Sequence, residues 1–221
     1  MRHPGLFAFG LTTAILVPTA LHLLEAGPEQ IAKLVAPDKK ILTFGDAKVE
    51  VAADRAFVDD GGKVHVTLTA TGETAQRITL TMLVLESQGS GGGRVELPPE
   101  VTARESVTLD LKDGHATRTM AFKLPGARGS DMGGMAAFGH YTFLVMPPKD
   151  AVAFEKLRRH ARKVGYDDAF QNAYYQAGRP VDRDEAGEPT SPTFGTEGQI
   201  ARLDVNTRPT DSPVAIEAPT S

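Results

Sequence analysis

The chain has 221 residues, with 24 Lys and Arg against 28 Asp and Glu and a formal net charge of −4. It carries no Cys and no Trp, which excludes disulfide scaffolds, thiolate metal sites and cysteine nucleophiles. The charge balance lacks the basic excess that nucleic-acid binding demands, so no nucleic-acid partner is expected.

The first element is apolar. Gly5 to Leu24 (GLFAFGLTTAILVPTALHLL) contains no Asp, Glu, Lys or Arg. A helix of these 20 residues would reach roughly 30 Å, the thickness of a bilayer's hydrocarbon core. Residues 1–24 are therefore expected to be a transmembrane anchor, with a single span at residues 5–24. A removed secretory signal is the competing reading. The run exceeds the roughly 7 to 15 apolar residues of a signal, and cleavage after Ala20 or Ala26 would put Pro18 or Leu24 three positions before the cut. Residues 25–45 read as a juxtamembrane linker. Arg2 precedes the span, and Lys33, Lys39 and Lys40 follow it, a count that favours a cytoplasmic domain. Short tails with one Arg commonly stay inside, however, and long domains translocate largely regardless of charge. The expectation is a membrane-anchored, extracytoplasmic (periplasmic) domain, with the cytoplasmic-facing orientation as the alternative.

Residues 46–148 change to a period of two between turn signals, the pattern of half-buried antiparallel strands. Seven segments carry it: 47–52, 63–70, 77–85, 94–97, 105–111, 116–124 and 140–146. In the second, Val64, Val66 and Leu68 share one face, and Lys63, His65 and Thr67 share the other. Threonine recurs at outward positions, as befits a β-branched residue on a pleated, wet surface. Asp59-Asp60-Gly61-Gly62 and Lys112-Asp113-Gly114 read as hairpin-type turns, because Gly accepts the positive φ they need. Many short strands with turns at such spacing predict a mainly β protein, a sandwich or barrel.

One segment refines this. Gly139-His140-Tyr141-Thr142-Phe143 resembles the G-x-Y-x-C segment of immunoglobulin-type domains, with Phe143 where Cys would stand. The resemblance is to disulfide-free bacterial immunoglobulin-like and fibronectin-like domains. It implies an antiparallel β-sandwich of about seven strands, used for adhesion, spacing or partner binding more than for catalysis.

After Pro147-Pro148 the period becomes helical, and residues 149–180 read as an amphipathic helical segment. Phe154, Leu157, Ala161 and Val164 form one stripe, with Asp150 as N-cap and Gly165 as the stop. Asp167 or Asp168 opens a second helix carrying Phe170, Ala173, Tyr174 and Ala177. Residues 181–221 form an acidic tail, rich in Pro and Gly, that reads as flexible. Its exception is a candidate strand at 199–205 (QIARLDV), which either completes the sandwich or adds to a partner's sheet edge.

Two groups of residues have chemistry worth weighing. Met132, Met135 and His140 supply thioether and imidazole donors suited to copper, although methionine also fills irregular gaps beside a core. Lys156, Arg158, Arg159, Arg162 and Lys163 make the first helix basic. They read either as a solvated face or as a contact for anionic lipid or an acidic partner. Gln88 to Arg94 lacks the ending and helix of a phosphate loop, and Asp182 to Glu188 lacks the ligand series of a calcium loop. His65 and His115 belong to no catalytic motif. The sequence therefore predicts a non-catalytic, membrane-anchored interaction or scaffold module of the cell envelope, with a protein partner and no cofactor. An envelope copper- or ligand-binding accessory protein is the alternative, and a hydrolase with a scattered site the third reading.

Overall fold

The computed structural model describes residues 39–59, 61–87, 98–124, 139–165, 167–190 and 193–208. In chain order the described elements are β1 (Lys39–Phe44), β2 (Ala47–Ala53), β3 (Phe57–Asp59), β4 (Lys63–Thr71), β5 (Gln76–Ser87), β6 (Glu100–Leu111), β7 (His115–Lys123), β8 (Gly139–Met146), α1 (Pro148–Val164), α2 (Asp168–Gln176) and β9 (Ala201–Arg208). The strands form two sheets, ordered β1-β2-β4-β7 and β3-β9-β8-β5-β6. All pairs are antiparallel except β3 with β9.

Alternation builds the space between the sheets. Val64, Val66, Leu68 and Ala70 of β4 point inward and are wholly buried. They share a core with Val49 and Val51, Leu80 and Met82, Leu109 and Leu111, Tyr141 and Phe143, and Leu203 and Val205. Phe122 meets the edge of Phe143, with ring centroids 5.3 Å apart. Each of these large apolar side chains contributes about 1.5–3 kcal/mol by leaving water, so this layer dominates the fold's stability. The outward threonines pair across strands, Thr67 with Thr119 at 3.0 Å and Thr79 with Thr108 at 3.5 Å.

The second sheet is covered on its other face as well. Leu83 and Leu85 of β5 and Leu144 and Met146 of β8 point outward onto Ala151, Phe154 and Ala161 of α1 and Phe170, Ala173 and Tyr174 of α2. The Phe154 ring packs against Phe170 and Phe194 at 5.6 and 5.7 Å. The result is three layers, sheet on sheet on helices.

Several expectations change. Among the described residues there are nine strands where about seven were expected: six of the expected segments are joined by Lys39–Phe44, within the expected linker, by Phe57–Asp59 and by Ala201–Arg208. The strand of 105–111 starts earlier, at Glu100. Neither turn expected as a hairpin joins paired strands. Gly61 (φ 68°) lies between β3 and β4 and Gly114 (φ 73°) between β6 and β7, in each case carrying the chain from one sheet to the other. At Gly114 an added Cβ would sit 2.6 Å from the Gly72 carbonyl oxygen, so the corner requires glycine. Asp150 does not cap α1, since Pro147 takes that position and Pro148 opens the helix, its missing N–H costing nothing there. Gly165 does end α1, and Asp167 caps α2 by accepting from the Ala169 N–H at 2.9 Å. Where composition predicts a flexible tail, residues 181–190 and 193–200 form turns. The candidate strand at 199–205 overlaps β9, which starts two residues later and runs on to Arg208, hydrogen-bonded to β8 in the sandwich itself.

Among the described residues no helix is long and apolar enough to cross a membrane. The expected span at 5–24, the expected strand at 94–97 and the Gln88 to Arg94 loop lie outside the described residues.

Candidate functional site

Three features stand on or beside the helical layer: a polar cluster beneath α2, the outward face of α1, and a cleft beside β1. The cluster arises from strand register. Outward positions of β8 and β9 face each other as His140 with Asn206 and Thr142 with Asp204. Thr142 is wholly buried and donates to Asp204 Oδ1 at 2.7 Å, with the Tyr174 hydroxyl 3.2 Å from its oxygen. Arg202 donates from Nε to both Asp204 oxygens at 3.2 and 3.1 Å and from Nη1 to the Tyr174 carbonyl at 2.9 Å, while its guanidinium lies 4.8 Å from the centre of the Tyr174 ring.

His140 completes the cluster. Nδ1 lies 2.9 Å from Asn206 Oδ1, and Nε2 lies 3.3 Å from Asp204 Oδ1. Burial alone would raise the Asp204 pKa, but hydrogen bonds from His140 and Arg202, the Arg202 charge and the Thr142 hydroxyl hold it far below the usual carboxylate range. The hydrogen bond to Asp204 raises the His140 pKa against the opposing effect of partial burial. One imidazole nitrogen faces both Asp204 and, at 3.5 Å, Thr142. A relay from carboxylate through imidazole to hydroxyl needs opposite nitrogens, and Thr142 is wholly buried. The arrangement acts as a latch that holds α2 on the sheet.

This latch bears on the copper reading. Met132 and Met135 lie outside the described residues. A copper ion at His140 would have to displace Asn206 from Nδ1 or Asp204 from Nε2. No group of three or more His, Asp or Glu side chains is placed to hold a metal among the described residues, and in the Asp182 to Glu188 segment Asp184 instead accepts the Ala186 and Glu188 N–H groups.

The five expected contact cations on α1 divide. Arg158 and Arg162 turn toward the start of β6: Arg158 Nη1 donates to the Pro99 carbonyl at 3.3 Å, and Arg162 pairs with Glu100 at 3.0 Å. Burial and the nearby Arg162 charge lower the Arg158 pKa. Arg104 of β6 reaches back to Glu155 at 3.1 Å. Lys156, Arg159 and Lys163 instead face solvent. Lys149, which sequence reasoning passed over, joins them because Pro148 starts the helix one turn earlier than Asp150 would have.

The cleft is about 300 Å³, lined among others by Ile41, Arg179, Phe194, Glu197 and Ile200. Beside it the Thr43 N–H donates to the Gly198 carbonyl at 2.8 Å, covering part of the free β1 edge. Charges of both signs rim it, Lys40 and Arg179 against Asp182 and Glu197.

Sequence reasoning found His140 but missed Thr142, Tyr174, Arg202, Asp204 and Asn206. The available signal was the alternation of Arg202, Asp204 and Asn206 with Leu203 and Val205, which marks a polar outward face. Which residues oppose them depends on a register across residues 147–200. No protein-family model matches this chain, and no curated protein matches it.

Proposed function

We propose that this chain is a non-catalytic, membrane-anchored interaction module of the cell envelope, built on an immunoglobulin-like sandwich. Strand order supports the fold. With β2, β4 and β7 as strands A, B and E, and β9, β8, β5 and β6 as G, F, C and C′, seven of the described strands take an order that supports this reading, and β1 and β3 lie outside it. In that frame residues 147–200 occupy the F–G connection, one of the loops that variable domains use for binding. The observation that carries the reading is this insertion, folded as a helical layer with cations on its outer side.

The anchor is the uncharged run at 5–24, and an extracytoplasmic, periplasmic domain fits it. Tethering would convert a weak contact of the helical layer into an effectively concentrated one. Fractionation of cells making the full chain tests the anchor. The intact chain is expected to stay with membranes through alkaline carbonate extraction, and a form lacking residues 1–24 is expected to be released. Recovery of the intact chain as a freely dissolved protein overturns the reading.

A further inference from the structure

The outer face of α1 forms one continuous cationic stripe. Lys149, Val152, Lys156, Arg159 and Lys163 recur at three, four and seven residues, which on a 3.6-residue period keeps them on one side of the helix. All are exposed, Val152 at 56%. The stripe runs about 21 Å at 1.5 Å per residue. On the opposite side Phe154 and Ala161 are wholly buried, so packing against the sheet fixes the rotation of the helix and keeps the stripe outward.

Three acids near this face are already engaged. Glu155 is held by Arg104 from β6, Glu100 by Arg162, and Asp167 lies 3.9 Å from His160 and caps α2. Lys149, Lys156 and Lys163 have no ion-pair partner among the described residues, and Arg159 reaches only the carbonyl of its own helix at Glu155. The stripe is therefore an uncompensated positive band on a chain whose net charge is negative.

We infer that this stripe docks on an anionic lipid surface, bringing α1 parallel to the membrane that the chain's own N-terminal run would enter. The inference deepens the proposed function and rests on it for proximity. Charge complementarity selects anionic headgroups. A helix face exposed from Lys149 to Lys163 can lie along a plane, and the exposed Val152 within the stripe can enter the interfacial region beside the headgroups. Four such cations give an attraction that adds roughly per charge and fades within a Debye length.

The absence of native cysteine allows a single label to report this contact. The full chain with His160→Cys carries an environment-sensitive fluorophore on the exposed flank of the stripe, and Thr117→Cys carries it on the outer face of the other sheet. Each is reconstituted in phosphatidylcholine vesicles, and in vesicles of equal parts phosphatidylcholine and phosphatidylglycerol, with a headgroup-attached quencher. Quenching is expected at position 160 only, only with phosphatidylglycerol, and reversed by raising salt from about 0.05 M to 0.5 M. Reversing Lys156, Arg159 and Lys163 to Glu should abolish it, while circular dichroism confirms that the helices remain.

Equal quenching in neutral vesicles, quenching at position 117 as well, or no quenching at either position overturns the inference. A response at position 160 to added polyglutamate without any response to phosphatidylglycerol also overturns it, and assigns the stripe to an acidic protein. Should the chain lack a membrane anchor, the same labelled protein added to preformed vesicles is scored by co-sedimentation. Loss of affinity by more than about tenfold on the triple reversal then still supports the helix contact, so anchor failure and stripe failure read differently.

Discussion

β4 and β8 are both interior strands with wholly buried inward side chains, yet only β4 alternates. Val64, Val66 and Leu68 are buried while Lys63 and His65 are exposed, whereas every residue of β8 from Tyr141 to Met146 is buried. The difference lies in what covers the second face. Water meets the outer side of β4, and α1 and α2 meet the outer side of β8. A wet face selects threonine and charge, and a covered one selects Leu144 and Met146 or a polar group with all its partners, such as Thr142. The same rule separates the uniformly apolar stretch of β5, Met82 to Leu85, from the alternating β7.

Substitutions that tell the two layers apart should sharpen this contrast. Phe143→Ala empties a site in the space between the sheets and is expected to cost about 3–5 kcal/mol, lowering the urea midpoint of the whole domain. Phe154→Ala, in the helical layer, removes a ring of the same size at a similar local cost. It is expected to release the helices before the sandwich unfolds. Hydrogen exchange should then find α1 and α2 unprotected while β4 amides stay protected, and loss of protection in both together would show that the layers form one cooperative unit.

The latch gives a smaller, pH-dependent effect. Asp204 has a lowered folded-state pKa, so its stabilisation is present above the unfolded value near 4 and is lost as pH falls through the folded one. His140 has a raised pKa, so its contribution is complete below the unfolded value near 6.5 and is lost as pH rises through the folded one. Attachment of α2 should therefore be strongest between about pH 4 and 6.5. Asp204→Asn is expected to flatten that profile and to cost about 2 kcal/mol, discounted because the carboxylate is part-exposed. Urea midpoints measured across pH check both expectations. An unchanged profile would mean that the helical layer is held by its apolar contacts alone.

The smallest effects belong to surface charge. Arg162→Gln breaks the pair with Glu100 and is expected to cost at most about 1 kcal/mol. Lys156→Gln should change stability by less than about 0.5 kcal/mol, because its side chain carries no ion pair. A thermal melt separates the two. A large loss at Lys156 would place that side chain in the packing rather than on the outward stripe.

The alternating strands β2, β4 and β7, the longer apolar run of β5, the two helices, the Gly165 stop and a cap at Asp167 or Asp168 were all legible in the residues, because each depends on neighbours within a turn or a few positions. β1 escaped notice because Leu42 is its only wholly buried apolar side chain and two lysines open it. β3 escaped because three residues carry no period, and their partner is β9, far along the chain.

Local chemistry thus determined which segments extend and which coil, since burial on one face imprints a period of two or of 3.6 on the order of side chains. Tertiary structure alone decided which strands became neighbours, whether a glycine turn closed a hairpin or carried the chain between sheets, and which side chains met across residues 147–200. His140 could be read as a candidate metal ligand from its own neighbourhood in the chain. Only the register of β8 against β9 placed it between Asp204 and Asn206, because pairing over so long an insertion is selected by the packing of the whole domain and leaves no periodic trace in either strand.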